Sequence, residues 1–269
     1  MRKSAFLLLI LVIGLSALLM TSCDAKNYET KNYDIKEPFS SILIDTDVAK
    51  IDLLPSDDGV CKVVCQERAK KYHSVEVKDG VLTIKVVDEE KWYERVVKID
   101  NTKLTVYLPE AMYDAISVKA STGDVRIDNV RTSALDVKLT TGNITTTGVR
   151  CDGDVNINLT TGDVALSALE CKNLTSTGST GNVTLTNVVA SENITVERST
   201  GDVTFEDSDG AKILVKTSTG SVSGSLLTEK VFVVKSDTGR VDVPSSSKGG
   251  ECKITTDTGN IIISIAQNK

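Results

Sequence analysis

The residues with the most chemical potential are acids set beside glycines. Asp124, Asp163 and Asp202 each follow a Thr-Gly pair, and Asn143, Asn182, Ser221, Arg240 and Asn260 take the same place after other Thr-Gly pairs. Carboxylates on glycine loops suit general acid/base work or calcium. The spacing argues against both. The glycines Gly123, Gly142, Gly162, Gly181, Gly201, Gly220, Gly239 and Gly259 recur every 19 or 20 residues, the period of a stacked array. Acids on alternate coils of such a stack lie roughly 10 Å apart, too far for the shared pair of a retaining glycosidase. The calcium-binding glycine-rich nonapeptide is also missing.

Other reactive side chains are few. One histidine, His73, sits between Tyr72 and Ser74 and reads as a surface residue, which argues against His-based metal or triad chemistry, so no metal, cofactor or catalytic residue is expected. Cys61 and Cys65 share one strand face but stand about 13 Å apart, too far to bridge. Cys252 falls in an apolar column. Cys151 and Cys171 each follow a repeat glycine by nine residues, so they stack on adjacent coils as either a disulfide or two buried thiols. Lys119 stacks on Lys138, and Lys216 on Lys235. Arg198 occupies a column that is apolar in the early coils. It is expected to rotate outward, the alternative being that Gly178 leaves it room. Trp92, Tyr93 and Arg95 form the aromatic and charged cluster that suits carbohydrate or protein contact, against the plainer reading of packing under a cap.

The elements that must position these residues are strands. Seven residues before the glycines stand Ile116, Leu135, Val155, Leu174, Ile194, Ile213, Phe232 and Cys252. Five before stand Val118, Val137, Ile157, Ser176, Val196, Val215, Val234 and Ile254. Two after come Val125, Ile144, Val164, Val183, Val203, Val222, Val241 and Ile261. Four after, the apolar column continues except at Thr146 and Gly224, and seven after it includes Val130, Val149, Leu169, Val188 and Leu227. Intervals of two mean alternating faces, so each coil has two strands and a short third. The fold expected is an all-β, single-domain parallel β-helix, right-handed by the usual hand of parallel crossovers, with eight coils over residues 116–269. Glycine serves the corner turn, and the Thr and Ser hydroxyls before it are expected to bond up the stack.

The flanks differ from the array. Residues 39–115 carry strand signals without the repeat and read as an irregular N-terminal β cap, with a tight hairpin at Asp79-Gly80 and a strand ended by Pro109. The polar stretch 23–38 reads as a flexible tether. Ile261, Ile263 and Ile265 are expected to form the last coil, an open edge that another chain or a second copy would join. A charge of -6 and a pI near 5.0 argue against nucleic acid, and 4% aromatic against 40% hydrophobic residues calls for a core of small branched groups.

The chain opens with Met1-Arg2-Lys3, an apolar run from Ala5 to Leu19, and Thr21-Ser22, which reads as an export signal over residues 1–22. Leu19-Met20-Thr21-Ser22-Cys23 resembles the bacterial lipobox, with Met20 where leucine is usual; the resemblance implies a diacylglyceryl group on Cys23 and anchoring to the cell envelope, facing the extracytoplasmic side. Together with the Ser-Thr-Gly-Asp-Val recurrence and Leu104-Thr105-Val106-Tyr107-Leu108-Pro109, this start resembles the bacterial putative-adhesin family of envelope β-solenoids over about residues 39–265. That resemblance implies a non-catalytic binding or scaffolding module meeting an envelope protein or glycan. An envelope-stress or signalling accessory and a carbohydrate-active β-helix enzyme are the alternatives.

Overall fold

The computed structural model describes residues 28–48, 50–90 and 102–266. Strand Leu135–Thr141 pairs in parallel with Ala115–Thr122 on one side and Asp154–Thr161 on the other, aligning Val118, Val137 and Ile157. On a second face Val125, Ile144 and Val164 align the same way, and two-residue strands Arg131–Thr132 and Arg150–Cys151 make a third. Repetition of this unit is the expected all-β solenoid. Its aligned columns are fully buried, as at Val137, Ile144 and Leu166.

Residues 28–108 are more regular than a cap. Among the described residues seven strands lie there: β1 (Glu29–Ile35), β2 (Ser41–Val48), β3 (Lys50–Pro55), β4 (Cys61–Glu67), β5 (Lys71–Lys78), β6 (Val81–Asp88) and β7 (Lys103–Leu108). β2 and β3 form a divergent repeat coil: Ile42 and Ile44 align with Ile116 and Val118, and Ile51 and Leu53 with Val125 and Ile127. β6 and β7 form another coil, stacked beyond it. β1, β4 and β5 run antiparallel to their neighbours and close the end. The hairpin from β5 to β6 turns at Asp79 and Gly80, with φ of 51° and 76°, as the Asp-Gly pair required.

The tether reading fails from Glu29 onward. β1 pairs residue by residue with β4, because Tyr33 and Ile35 alternate with polar neighbours and pack against the core. An end strand needs no more apolar content than that.

Both ends exchange coil order. At the start, β2 and β3 sit between the repeats and the β6 and β7 coil, although they precede both in sequence. At the far end, strands Gly250–Thr258 and Ile261–Ile265 insert between Val203–Leu226 and the coil of Lys230–Thr238 and Val241–Asp242. The open edge is therefore Val231, Val233 and Val241, not the Ile261 to Ile265 strand. Proline explains the choice: Pro244 lacks the donor of a ladder, so the coil it truncates belongs outside, while the five-residue strand with Ile261 and Ile263 completes a buried coil. Lys216 and Lys235 are accordingly separated by Thr255, which pairs with each. A buried ion pair fastens the arrangement. Lys230 Nζ lies 2.6 Å from Asp209 Oδ1, and Gly250, paired with Lys230 and lying against Ala211, puts no side chain in the way.

Candidate functional site

The corner acids are bound up in structure. Oδ1 of Asp124 accepts from the N–H of Asn143 at 2.9 Å, Asn143 from Asp163 at 3.1 Å, Asp163 from Asn182 at 2.7 Å and Asn182 from Asp202 at 2.9 Å. The chain continues through Ser221, Asn260 and Arg240, following the exchanged order. The threonines contribute main-chain carbonyls to the glycine N–H groups instead, as from Gly123 to Thr141, so the ladder runs one residue beyond the glycine and not through the hydroxyls before it. The glycines are needed for contact as well as for φ. At Gly142, with φ 134°, a Cβ would lie 1.7 Å from the carbonyl oxygen of Gly123.

Three irregularities in the columns meet at one place. Arg198 points inward and is buried, donating to Ser176 Oγ and to the Glu197 carbonyl at 2.9 Å each. Gly178 supplies the room, since a Cβ there would stand 3.0 Å from the guanidinium. The outward rotation expected for Arg198 does not occur, and burial pushes its guanidinium down to about 10.

His73 is likewise buried, not a surface residue, because β5 ends the second sheet and turns this side chain inward toward Thr46. There it meets Cys65 and Glu67, all three with donor atoms within 4.8 Å of one another. Cys65 and Glu67 alternate onto the same inward face of β4, and the turn to β5 brings His73 beside them. Oε1 of Glu67 accepts from the His73 backbone N–H at 2.7 Å, and Lys31 Nζ reaches within 3.1 Å of Oε2. Burial outweighs Glu67 and lowers the proton affinity of His73, while it pushes Cys65 up to about 12. A thiol so protonated and sealed is no nucleophile toward a substrate from solution. Sequence reasoning read the residues one at a time; the pattern Cys-x-Glu followed six residues later by His across a strand turn was the available signal.

The third face carries an accessible surface with several charged groups. Two shallow hollows of about 490 Å³ each share Arg131 and Arg150, which stack in register on adjacent coils. Tyr113 and Asn129 line one hollow, Glu170 and Lys172 the other. Cys151 and Cys171 lie beneath as free, buried thiols, with Cys171 pushed by burial to about 12. Trp92, Tyr93 and Arg95 fall outside the described residues, as does Cys23; the chain leaves β6 at Asp88 and returns at Lys103, the coil position where each repeat has its glycine corner.

A parallel solenoid with short three-strand coils, a glycine and Asx ladder at one corner and antiparallel strands at one end defines a class of β-solenoid proteins. The chain belongs to the Toastrack DUF4097 family, whose profile matches residues 39–168 and again 150–269. No curated protein sequence matches it. A crystal structure of a putative adhesin from Bacteroides fragilis NCTC 9343 is 17% identical over 89% of this chain and 98% of that one, with a TM-score of 0.46. A putative lipid binding protein from Parabacteroides distasonis ATCC 8503 is 17% identical over 91% and 98%, TM-score 0.46. A putative adhesin from Parabacteroides merdae ATCC 43184 is 12% identical over 89% and 97%, TM-score 0.46.

Proposed function

We propose that the chain is a non-catalytic, adhesin-like binding module, exported and held on the bacterial envelope through a lipid on Cys23. The observation that carries the reading is the pair of hollows joined by Arg131 and Arg150. Two guanidiniums stacked one coil apart offer fixed forks of donors for carboxylate or phosphate groups. Arg150 is only loosely held, 3.4 Å from an exposed Glu170. An acidic glycan or an acidic protein segment on the envelope fits that chemistry, and the groove runs along the stack as an extended ligand would. Shallow grooves lined by a few charged groups suit binding more than enclosure of a reacting bond. The corner carboxylates, each engaged with the next coil's N–H, also argue against the enzyme alternative.

The test is binding of anionic and neutral oligosaccharides to the full chain and to Arg131→Ala/Arg150→Ala. Retained folding with lost binding of the anionic ligands supports the reading; unchanged binding, or turnover of any ligand, overturns it. Acyl labelling in a bacterial host, lost in Cys23→Ser, tests the anchor.

A further inference from the structure

The expectation of no metal site rested on the presence of a single histidine, and the end of the stack brings that histidine to two other donors. We propose that Cys65, Glu67 and His73 form a binding site for one Zn²⁺ ion. Relative exposures of 0%, 1% and 4% leave none of the three a role at the surface. Nδ1 of His73 is buried with no aligned hydrogen-bond partner, a costly arrangement for a polar atom, and the equally buried Oε2 of Glu67 is met by the ammonium of Lys31 at 3.1 Å.

The geometry is that of a site prepared for an ion. Two ligands bonded at about 2.0–2.1 Å with tetrahedral angles stand about 3.3 Å apart. His73 Nδ1 and Glu67 Oε1 are 3.3 Å apart. The sulfur edge of such a tetrahedron is about 3.6 Å, so Cys65, within 4.8 Å, closes on it by a side-chain adjustment. The outer contacts suit ligation too. Nε2 of His73 lies 3.4 Å from Thr46 Oγ1, which orients the ring so that Nδ1 points inward, and the His73 backbone N–H holds the carboxylate. A thiolate, an imidazole and a carboxylate are the donor set of zinc, leaving a fourth position for water.

Charge is balanced on binding. Zn²⁺ replaces the thiol proton of Cys65, which is released to solvent, and the thiolate with the Glu67 carboxylate neutralises the ion. Lys31 is then no longer required beside Glu67; its side chain is 45% exposed and free to turn outward.

The experiment uses the full, tag-free chain stripped of metal and titrated with Zn²⁺ against a chromophoric chelator, then with Co²⁺. One ion per chain and a thiolate-to-cobalt absorption band are expected. Cys65→Ser should abolish the band and weaken Zn²⁺ by more than about 100-fold, beyond what loss of an outer-shell partner does. His73→Gln should weaken it comparably, while Cys252→Ser leaves both readouts intact. Circular dichroism of each variant establishes that it is folded. Failure to hold an ion against the chelator, a cobalt complex without the band, or equal affinity in folded Cys65→Ser overturns the site.

Discussion

Asp124 and Asn143 are joined across nineteen residues: one carboxylate oxygen accepts both the backbone N–H, at 2.9 Å, and the side-chain amide, at 3.1 Å, of the residue one coil on. The amide therefore does two things. It continues the ladder by accepting from Asp163, and it keeps the charges of Asp124 and Asp163 two coils apart.

Asn143→Ala should cost about 1 kcal/mol in chemical denaturation, the worth of the lost acceptor, with faster amide exchange at Asp163. Asn143→Asp keeps an acceptor but puts carboxylates on three successive coils. Its melting temperature should fall at low salt and recover as ionic strength rises toward about 0.5 M, where the screening length is only a few Å. A salt-independent loss would point to packing instead.

Arg198 and Ser176 should behave as one unit. Ser176→Val leaves a buried guanidinium without one of its two acceptors and should cost about 2 kcal/mol, whereas Arg198→Met with Ser176→Val should be at least as stable as the native chain. A double-mutant cycle that came out additive would refute the coupling.

Thr146 is fully buried in a mostly apolar column, between Ile127 and Leu166, and its hydroxyl has no hydrogen-bond partner. Thr146→Val removes that unsatisfied group at equal volume. Thermal melts should show a gain of about 1 kcal/mol.

The exchanged coils are checked by cross-linking. Cysteines placed at 216 and 255, or at 255 and 235, should form disulfides under mild oxidation, since adjacent strands lie about 4.8 Å apart. A pair at 216 and 235 should not. Lys230→Met, which strands Asp209, should cost about 3 kcal/mol and loosen the end coil first.

Burial pushes the thiol of Cys252 from 9.0 to about 12. The folded state thus favours the neutral thiol, and the stability this contributes is intact below pH 9 and lost as pH rises toward 12. Urea midpoints should decline over that range, less steeply in Cys252→Val.

Period and column chemistry made the coil legible from sequence, because an in-register stack repeats its demands at Val118, Val137 and Ile157 alike. The exceptions were legible too, at Ser176, Gly178 and Arg198; room left by Gly178 for Arg198 was the second choice from sequence, and packing selects it and adds Ser176 as the acceptor. Coil order was not legible. Every coil presents the same columns, so a period cannot say which neighbour a coil takes; Pro244 and the gap at Gly250 decide it through space. The corner of Cys65, Glu67 and His73 was hidden for a similar reason, since antiparallel end strands carry no period to align.

The inserted coil at residues 250–265 also sets a timetable for biosynthesis. Residues 230–242 leave the ribosome before the only coil on which they stack has been made. A growing or truncated chain must keep that segment waiting, or lay it provisionally on Val203–Leu226 and later surrender the place. Closure of this end is thus a late event that registers whether synthesis has passed residue 265.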